Sequence, residues 1–260
     1  MSIEDKKIGI MGARGLLGGD LVEYFSSRAK VLSITRDNYD TLKGEHVNVL
    51  INANGNSRRF WANQYPLEDF EASTASVYRS LFDFKFDTYI YISSVDAYAD
   101  HSGPTTTRED MSGDGKRDPY GHNKFLAEQI VKNYAPSHII MRLATVLGSG
   151  LKKGLVYDML KREPLFVSHD TRLQYITTEA IGGFVESLLR RDISGEMFNV
   201  GGKGVVPMSD FTDIFGYEPV YRPDAAIQQV YEMTVKKASQ YFHFKSSREY
   251  LEEFVRSRRA

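Results

Sequence analysis

Tyr120 and Lys124 stand four residues apart in Asp118-Pro119-Tyr120-Gly121-His122-Asn123-Lys124, and the segment runs on as Phe125-Leu126-Ala127-Glu128-Gln129-Ile130. The pattern predicts a helix near 120 to 135. Four residues is close to one helical turn, so the phenol and the ammonium share a face. A phenol with a pKa of about 10 is a poor acid-base group at neutral pH, but a neighbouring ammonium stabilises the phenolate and lowers that value. The pair could therefore move a proton to or from a substrate oxygen. An ordinary amphipathic helix could carry the same two residues, so the chemistry needs further partners. Ser94 is one candidate. The run Tyr89-Ile90-Tyr91-Ile92 reads as a strand and ends in Ser93-Ser94. A hydroxyl there can hydrogen-bond a carbonyl oxygen, although a serine after a strand also serves plain turn chemistry.

A second constellation lies near the N-terminus, where an apolar strand runs through Ile8 and Ile10 into Gly12, Gly15 and Gly18. A helical pattern, expected over 17 to 27, follows directly. Such an arrangement presents the pyrophosphate of a dinucleotide to a helix N-terminus. Gly12 would make the tight turn, Gly15 would let the backbone approach the phosphates, and Gly18 would let helix and strand pack closely. Arg14, Leu16 and Leu17 fall inside the same loop and first turn. The spacing is G-x-x-G-x-x-G, and glycines alone could mark a turn without a ligand. Strand before and helix after favour binding.

These residues need a scaffold that brings them together. Further strands are expected at 31 to 34, 47 to 51, 89 to 92 and 139 to 143, alternating with helices near 67 to 84 and 120 to 135. The alternation predicts an α/β chain of the Rossmann type, a doubly wound parallel sheet covered on both faces. Right-handed crossovers would align the strand ends, so the loops after Gly12, Ile34, Ile51 and Ile92 converge on one edge. Beyond about 150 the pattern loosens. A helix is expected at 156 to 162, an extended piece at 174 to 177, a helix at 179 to 190, a strand at 197 to 200 and a last helix at 246 to 259. Residues 1–150 thus read as a dinucleotide-binding domain. Residues 151–260 read as a smaller substrate-binding lobe, with about 172–201 returning to the main sheet.

Composition excludes several classes of function. The chain has 260 residues, 42% of them hydrophobic, which suffices for a substantial core. A net charge of −1 provides no field to recruit nucleic acid or an anionic membrane surface. Neither partner is expected. There is no cysteine, and the six histidines show no paired ligand spacing, so no metal site is expected. No apolar run approaches the ~18 residues of a membrane span, and the start Met1-Ser2-Ile3-Glu4-Asp5-Lys6-Lys7 is no secretory leader. A cytoplasmic location follows as the expectation.

Taken in order, GARGLLG (12 to 18), ISSVDAY (92 to 98), PYGHNK (119 to 124), IIMRLATVLG (139 to 148), LQYITTEAIGGF (173 to 184) and FNVGG (198 to 202) resemble the extended short-chain dehydrogenase/reductase family. The likeness is to the branch that modifies nucleotide-activated sugars, and it spans residues 7 to about 210. VYEMTVKKASQYFHF (230 to 244) looks like the late segment of that family. The resemblance implies that Tyr120 is the acid/base, that Lys124 tunes it and holds the nicotinamide ribose, and that Ser94, four before Tyr98, orients the reacting oxygen. Ser93 is out of register for that role. It further implies cofactor contacts from Gly12, Arg14, Gly15, Leu16, Leu17, Gly18, Arg36, Asn52, Ala53, Asn54, Tyr120 and Lys124.

The second strand ends Ser33-Ile34-Thr35-Arg36-Asp37. Arg36 and Arg14 could clamp a 2′-phosphate, which points to NADP, while Asp37 leaves NAD open. Dehydratases of the family carry Asp-Glu after the Ser/Thr. This chain has Val95-Asp96, and a valine cannot protonate a leaving hydroxyl, so dehydration is disfavoured. Asp96 could contact substrate hydroxyls or cap the following turn. Arg172 is the candidate for the substrate diphosphate, with Arg222 and Lys152-Lys153 weaker, and Arg142 is expected to pair structurally. Reduction of the keto group of a nucleotide-linked sugar is the expected activity. Epimerisation on tightly held cofactor is the alternative, and retention of Ser94, Tyr120 and Lys124 argues against a non-catalytic sensor. A homodimer could form through the helices near 67 to 84 and 120 to 135, where Phe82, Phe84 and Phe86 suit either a bundle or the core. Asn52 to Ser57 replaces the family's more apolar loop, and its small residues suit a backbone passing close to the cofactor ribose, while the extra asparagines and Arg58-Arg59-Phe60-Trp61 depart from the family pattern and have no assigned role.

Overall fold

The computed structural model describes residues 2–111 and 113–259. In chain order its strands are β1 (Lys7–Met11), β2 (Lys30–Ile34), β3 (His46–Asn52), β4 (Lys85–Ser94), β5 (His138–Leu143), β6 (Thr145–Leu147), β7 (Arg172–Leu173), β8 (Tyr175–Thr177), β9 (Glu196–Val200), β10 (Val206–Pro207) and β11 (Val230–Tyr231). The helices are α1 (Leu16–Ser26), α2 (Arg59–Gln64), α3 (Pro66–Phe70), α4 (Ser76–Asp83), α5 (Pro119–Tyr134), α6 (Leu155–Lys161), α7 (Thr178–Leu189), α8 (Phe211–Phe215) and α9 (Ser247–Arg259).

Strands with apolar residues on both faces must be covered on both sides, and the main sheet is built that way. Its order is β2-β1-β3-β4-β5-β9, and every pair is parallel. Ile90 and Ile92 of β4 face a core shared with Leu21 and Phe25 of α1 and Ile181, Phe184 and Leu188 of α7. Tyr89 and Tyr91, on the opposite face of the same strand, pack with Val77 and Leu81 of α4 and Ala127 and Val131 of α5. The sheet is therefore doubly wound. From β1 the chain turns outward to β2 on one side and to β3 on the other, so the order reverses between β1 and β3. An open sheet of this kind leaves a ligand crevice at that reversal, outside the strand ends.

A separate apolar cluster holds the second lobe together, drawing Leu155, Val156 and Met159 from α6, Phe211, Ile214 and Phe215 from α8, and Leu251, Phe254 and Val255 from α9. Its sheet is the small set β10-β7-β11, while β6 and β8 form a two-stranded link. The segment between them returns to the main sheet, through α7 on its face and β9 at its edge.

The helix expected at 67 to 84 is present, running without interruption from Pro66 to Asp83 with a π-helical turn inside it. Tyr65 and Pro66 restart the chain after α2, and the wide π turn over Glu71–Ala75 joins α3 to α4. Beside this π turn the buried Ser73 donates to Asp69 one turn back, and the buried Thr74 donates to the carbonyl of Asn123 on α5. Of the three phenylalanines, Phe84 is buried and Phe86 packs partly against the same core, whereas Phe82 is exposed.

Candidate active site

The loop after β1 is held by its own backbone. Gly12 has φ 76, a conformation that suits glycine, and its amide and that of Ala13 donate to the carbonyl of Ile34. A side chain on Gly12 would strike the Ala53 carbonyl at 2.8 Å, and one on Gly18 would lie 2.1 Å from the Gly12 carbonyl. The loops after β1 and β3 are thus pressed together at the sheet's reversal point. Gly15 is the N-cap of α1 and offers no side-chain acceptor, so the amides of the first turn at Leu16, Leu17 and Gly18 stay open to an anion. This cradle fits the pyrophosphate of a dinucleotide. At the end of β2, Arg14 pairs with Asp37, and Arg36 is exposed with no ion pair among the described residues.

The asparagine-rich segment after β3 is structural as well as close to the site. Asn52, fully buried, donates to the Tyr89 hydroxyl at 2.7 Å and accepts from the Asn54 amide at 3.0 Å. Ala53 continues the sheet by donating to the Met11 carbonyl. Asn56 donates to Asp69 at 2.9 Å, and Asn123 of α5 donates to the other oxygen of that buried carboxylate at 2.7 Å. Gly55 then passes Lys124 so closely that an added Cβ would sit 3.6 Å from Nζ.

Helix α5 begins where it does because Asp118 caps it, accepting from the Gly121 amide at 2.9 Å, with Pro119 in the first turn. A Cβ on Gly121 would lie 2.1 Å from the carbonyl of Asp96, so this glycine lets the helix head lie directly on the turn after β4. Tyr120 and Lys124 are both buried. Lys124 Nζ donates to the Ile92 carbonyl at 3.2 Å and lies 5.3 Å from the centre of the Tyr91 ring. Burial lowers its pKa to about 8, against the opposing pull of Asp69, Glu128 and Asp96. Burial also holds the Tyr120 phenol well above its ordinary value, and Asp96 adds to this while Ser94 works against it. Burial thus favours the protonated phenol.

The two serines at the end of β4 part ways. Ser93 is buried and donates to Glu128 of α5 at 2.5 Å, and Glu128 takes a bidentate pair from Arg142 of β5, at 2.8 and 2.5 Å. Ser94 instead turns toward Asp96, donating to Oδ2 at 2.9 Å and accepting from the Asp96 amide at 3.2 Å. Val95 is buried among Tyr98, Ala144 and Met233, so no acid follows Ser94 directly.

Arg172 is not gathered into this cluster. It is exposed on β7, opposite Val230 of β11, and forms no ion pair among the described residues. Arg222 donates to the Pro164 carbonyl at 3.2 Å. Lys153 donates to the Ser57 carbonyl and hydroxyl at 2.7 and 3.0 Å, which ties the second lobe to the asparagine segment. Sequence reasoning missed Arg59 and Tyr231. Arg59 donates to Asp118 and to the Tyr231 hydroxyl, and Tyr231 donates to Asp96 at 3.0 Å. The one local signal was the run Arg58-Arg59-Phe60-Trp61, which departs from the family pattern.

Comparison with known proteins follows the same lines. The model of the NAD dependent epimerase/dehydratase family matches residues 8–163. A search of curated proteins finds no match. Among solved structures, UDP-glucuronic acid 4-epimerase from Bacillus cereus, complexed with UDP-glucuronic acid and NAD, is 19% identical. It superposes with a TM-score of 0.76 over 96% of this chain and 99% of its own. RMD from Pseudomonas aeruginosa, complexed with NADPH, is 16% identical with a TM-score of 0.76, over 97% and 99%. A dTDP-4-dehydrorhamnose reductase from Clostridium acetobutylicum is 17% identical with a TM-score of 0.74, over 98% and 100%. At such identities these likenesses speak for the fold. The family match, spanning the glycine turn, Ser94, Tyr120 and Lys124, says more: the chain belongs to the NAD dependent epimerase/dehydratase family.

Proposed function

We propose that the chain reduces the keto group of a nucleotide-linked sugar, with NADPH as reductant. The observation that carries this reading is the convergence of Ser94, Tyr120 and Lys124 beside the glycine turn at one edge of the sheet. The open amides at Leu16, Leu17 and Gly18, with Gly12 and Gly15, would hold the pyrophosphate. Arg36 and Arg14 would take the 2′-phosphate, Asn52 to Asn54 would flank the ribose, and Lys124 and Tyr120 would meet the nicotinamide end. A nicotinamide dinucleotide bound there supplies the hydride. Tyr120, kept protonated by its burial, gives its proton to the keto oxygen, so the ketone becomes an alcohol. Lys124 then lies near the phenolate that remains and stabilises it. Arg172, on the second lobe, would meet the substrate diphosphate.

NADPH is preferred over NADH in this reading because Asp37 is already paired with Arg14 while Arg36 stands free of ion pairs among the described residues. Arg36→Ser should weaken NADPH binding by about tenfold or more and leave NADH nearly unchanged, since one charge-assisted contact to the phosphate is lost. Fluorescence titration of both nucleotides checks this. Epimerisation is the second reading, favoured by the similar epimerase that carries NAD and a UDP-sugar. Denaturing the purified chain and identifying released nucleotide separates the two. Empty protein that takes up NADPH supports the reductase, and stoichiometric retained NAD or NADP overturns it in favour of an epimerase that recycles its hydride.

Self-association belongs to the same proposal. Tyr78 and Phe82 of α4 and Tyr134 of α5 are exposed and stack edge to face on one another, with ring centres 5.1 to 5.6 Å apart. A second copy is the partner we propose for this face, covering it as a homodimer.

A further inference from the structure

Arg59 joins three pieces of the site. As the first residue of α2 it donates to Asp118, the cap of the helix that carries Tyr120, and to the Tyr231 hydroxyl on β11 of the second lobe. Its NH1 lies 3.5 Å from Asp96 Oδ1. Tyr231 donates to that same oxygen at 3.0 Å, and is held from behind by the His101 ring, 4.6 Å away and edge-on. The other oxygen, Oδ2, accepts from Ser94. Both oxygens of Asp96 are thus engaged, and its side chain is only 10% exposed.

We propose that Asp96 acts on the reaction through Ser94, as a positioning residue, with Tyr231 and Arg59 anchoring one carboxylate oxygen so that the other takes the Ser94 hydrogen. This rests on Ser94 and Tyr120 being the reacting pair of the proposed function. A serine hydroxyl has one hydrogen and two lone pairs. With the hydrogen committed to Asp96 Oδ2 and one lone pair taken by the Asp96 amide, Ser94 keeps one lone pair for the reacting oxygen. It then receives the hydroxyl that reduction creates, while proton donation to the ketone falls to Tyr120. The small lobe thereby takes part in the chemistry: Tyr231 comes from a strand 135 residues distant from Asp96 in sequence.

The test compares Tyr231→Phe, which deletes one oxygen, with Asp96→Asn and the double variant. The probes are dTDP-4-dehydrorhamnose with NADPH and UDP-glucuronic acid with NAD. Tyr231→Phe should lower kcat about tenfold and leave KM for the sugar nucleotide within about twofold, because the interaction acts in the transition state. Asp96→Asn should cost at least as much, and the double variant no more than Asp96→Asn alone, as expected when two residues act as one unit. In a Ser94→Ala background Asp96→Asn should cost nothing further. That arm holds even if Tyr231→Phe folds poorly. A raised KM with unchanged kcat would make Asp96 a sugar ligand and overturn the proposal. So would a full further loss in the Ser94→Ala background. In either case wild-type turnover of dTDP-4-dehydrorhamnose with NADPH would leave the proposed function standing. No turnover of either probe by the wild-type chain would overturn that function and this inference together.

Discussion

Lys124 is the residue whose burial has the clearest physical consequence. Its pKa falls from 10.5 to about 8 because the ammonium is desolvated. Between about pH 8 and 10.5 the unfolded chain holds a proton that the folded chain has released, so stability rises with pH across that window. Below about pH 8 the cost of the buried charge is present in full, on the order of 3 kcal/mol. Lys124→Met should therefore raise the melting temperature at pH 7 while abolishing turnover, and its stability advantage should fade toward pH 10.5. Thermal melts of both proteins across that range check the sign: an advantage that grows with pH contradicts it. Tyr120, Lys124 and Ser94 were legible in sequence because their relation is local, set by one helical turn and one strand end. Arg59 and Tyr231 were not, since they reach each other across 172 residues and no short-range pattern records the meeting.

At the level of elements, α5 is fixed to two strands by one buried cluster. Glu128 is fully buried and accepts from Ser93 on β4 and from Arg142 on β5. Removing one member leaves an uncompensated charge in the core. Arg142→Met should destabilise by about 3–5 kcal/mol, and adding Glu128→Leu should recover much of that loss, because an apolar pair of similar volume tolerates burial. Urea unfolding of the single and double variants measures it, and additive losses would contradict the account. The main strands and α5 were readable from apolar runs and the Asp118-Pro119 head. The helix expected at 67 to 84 was readable too, and only its π turn over Glu71–Ala75, where buried Ser73 and Thr74 bond Asp69 and α5, left no mark in the sequence.

For the molecule as a whole, contacts such as Lys153 with Ser57 and Tyr231 with Asp96 tie the part of the chain beyond residue 150 to the loops after β3 and β4. Among the described residues no helix is long and apolar enough to cross a membrane. The exposed Tyr78, Phe82 and Tyr134 predict a homodimer. Phe82→Glu should shift sedimentation from dimer to monomer with little change in melting temperature, and a wild-type monomer would contradict the prediction. The doubly wound sheet was legible from its alternation, whereas the strands of the small sheet were not. Strands of two residues, such as β7, β10 and β11, are too short to show a period, and only long-range pairing defines them. The central claim concerns what Tyr120 does at that edge. NADPH oxidation with dTDP-4-dehydrorhamnose, measured for wild type and Tyr120→Phe beside their NADPH affinities, tests it most directly. Turnover by the wild type, a loss of roughly 10²- to 10⁴-fold in the variant and equal NADPH binding are expected. Undiminished turnover without the phenol hydroxyl, or none in the wild type, would contradict it.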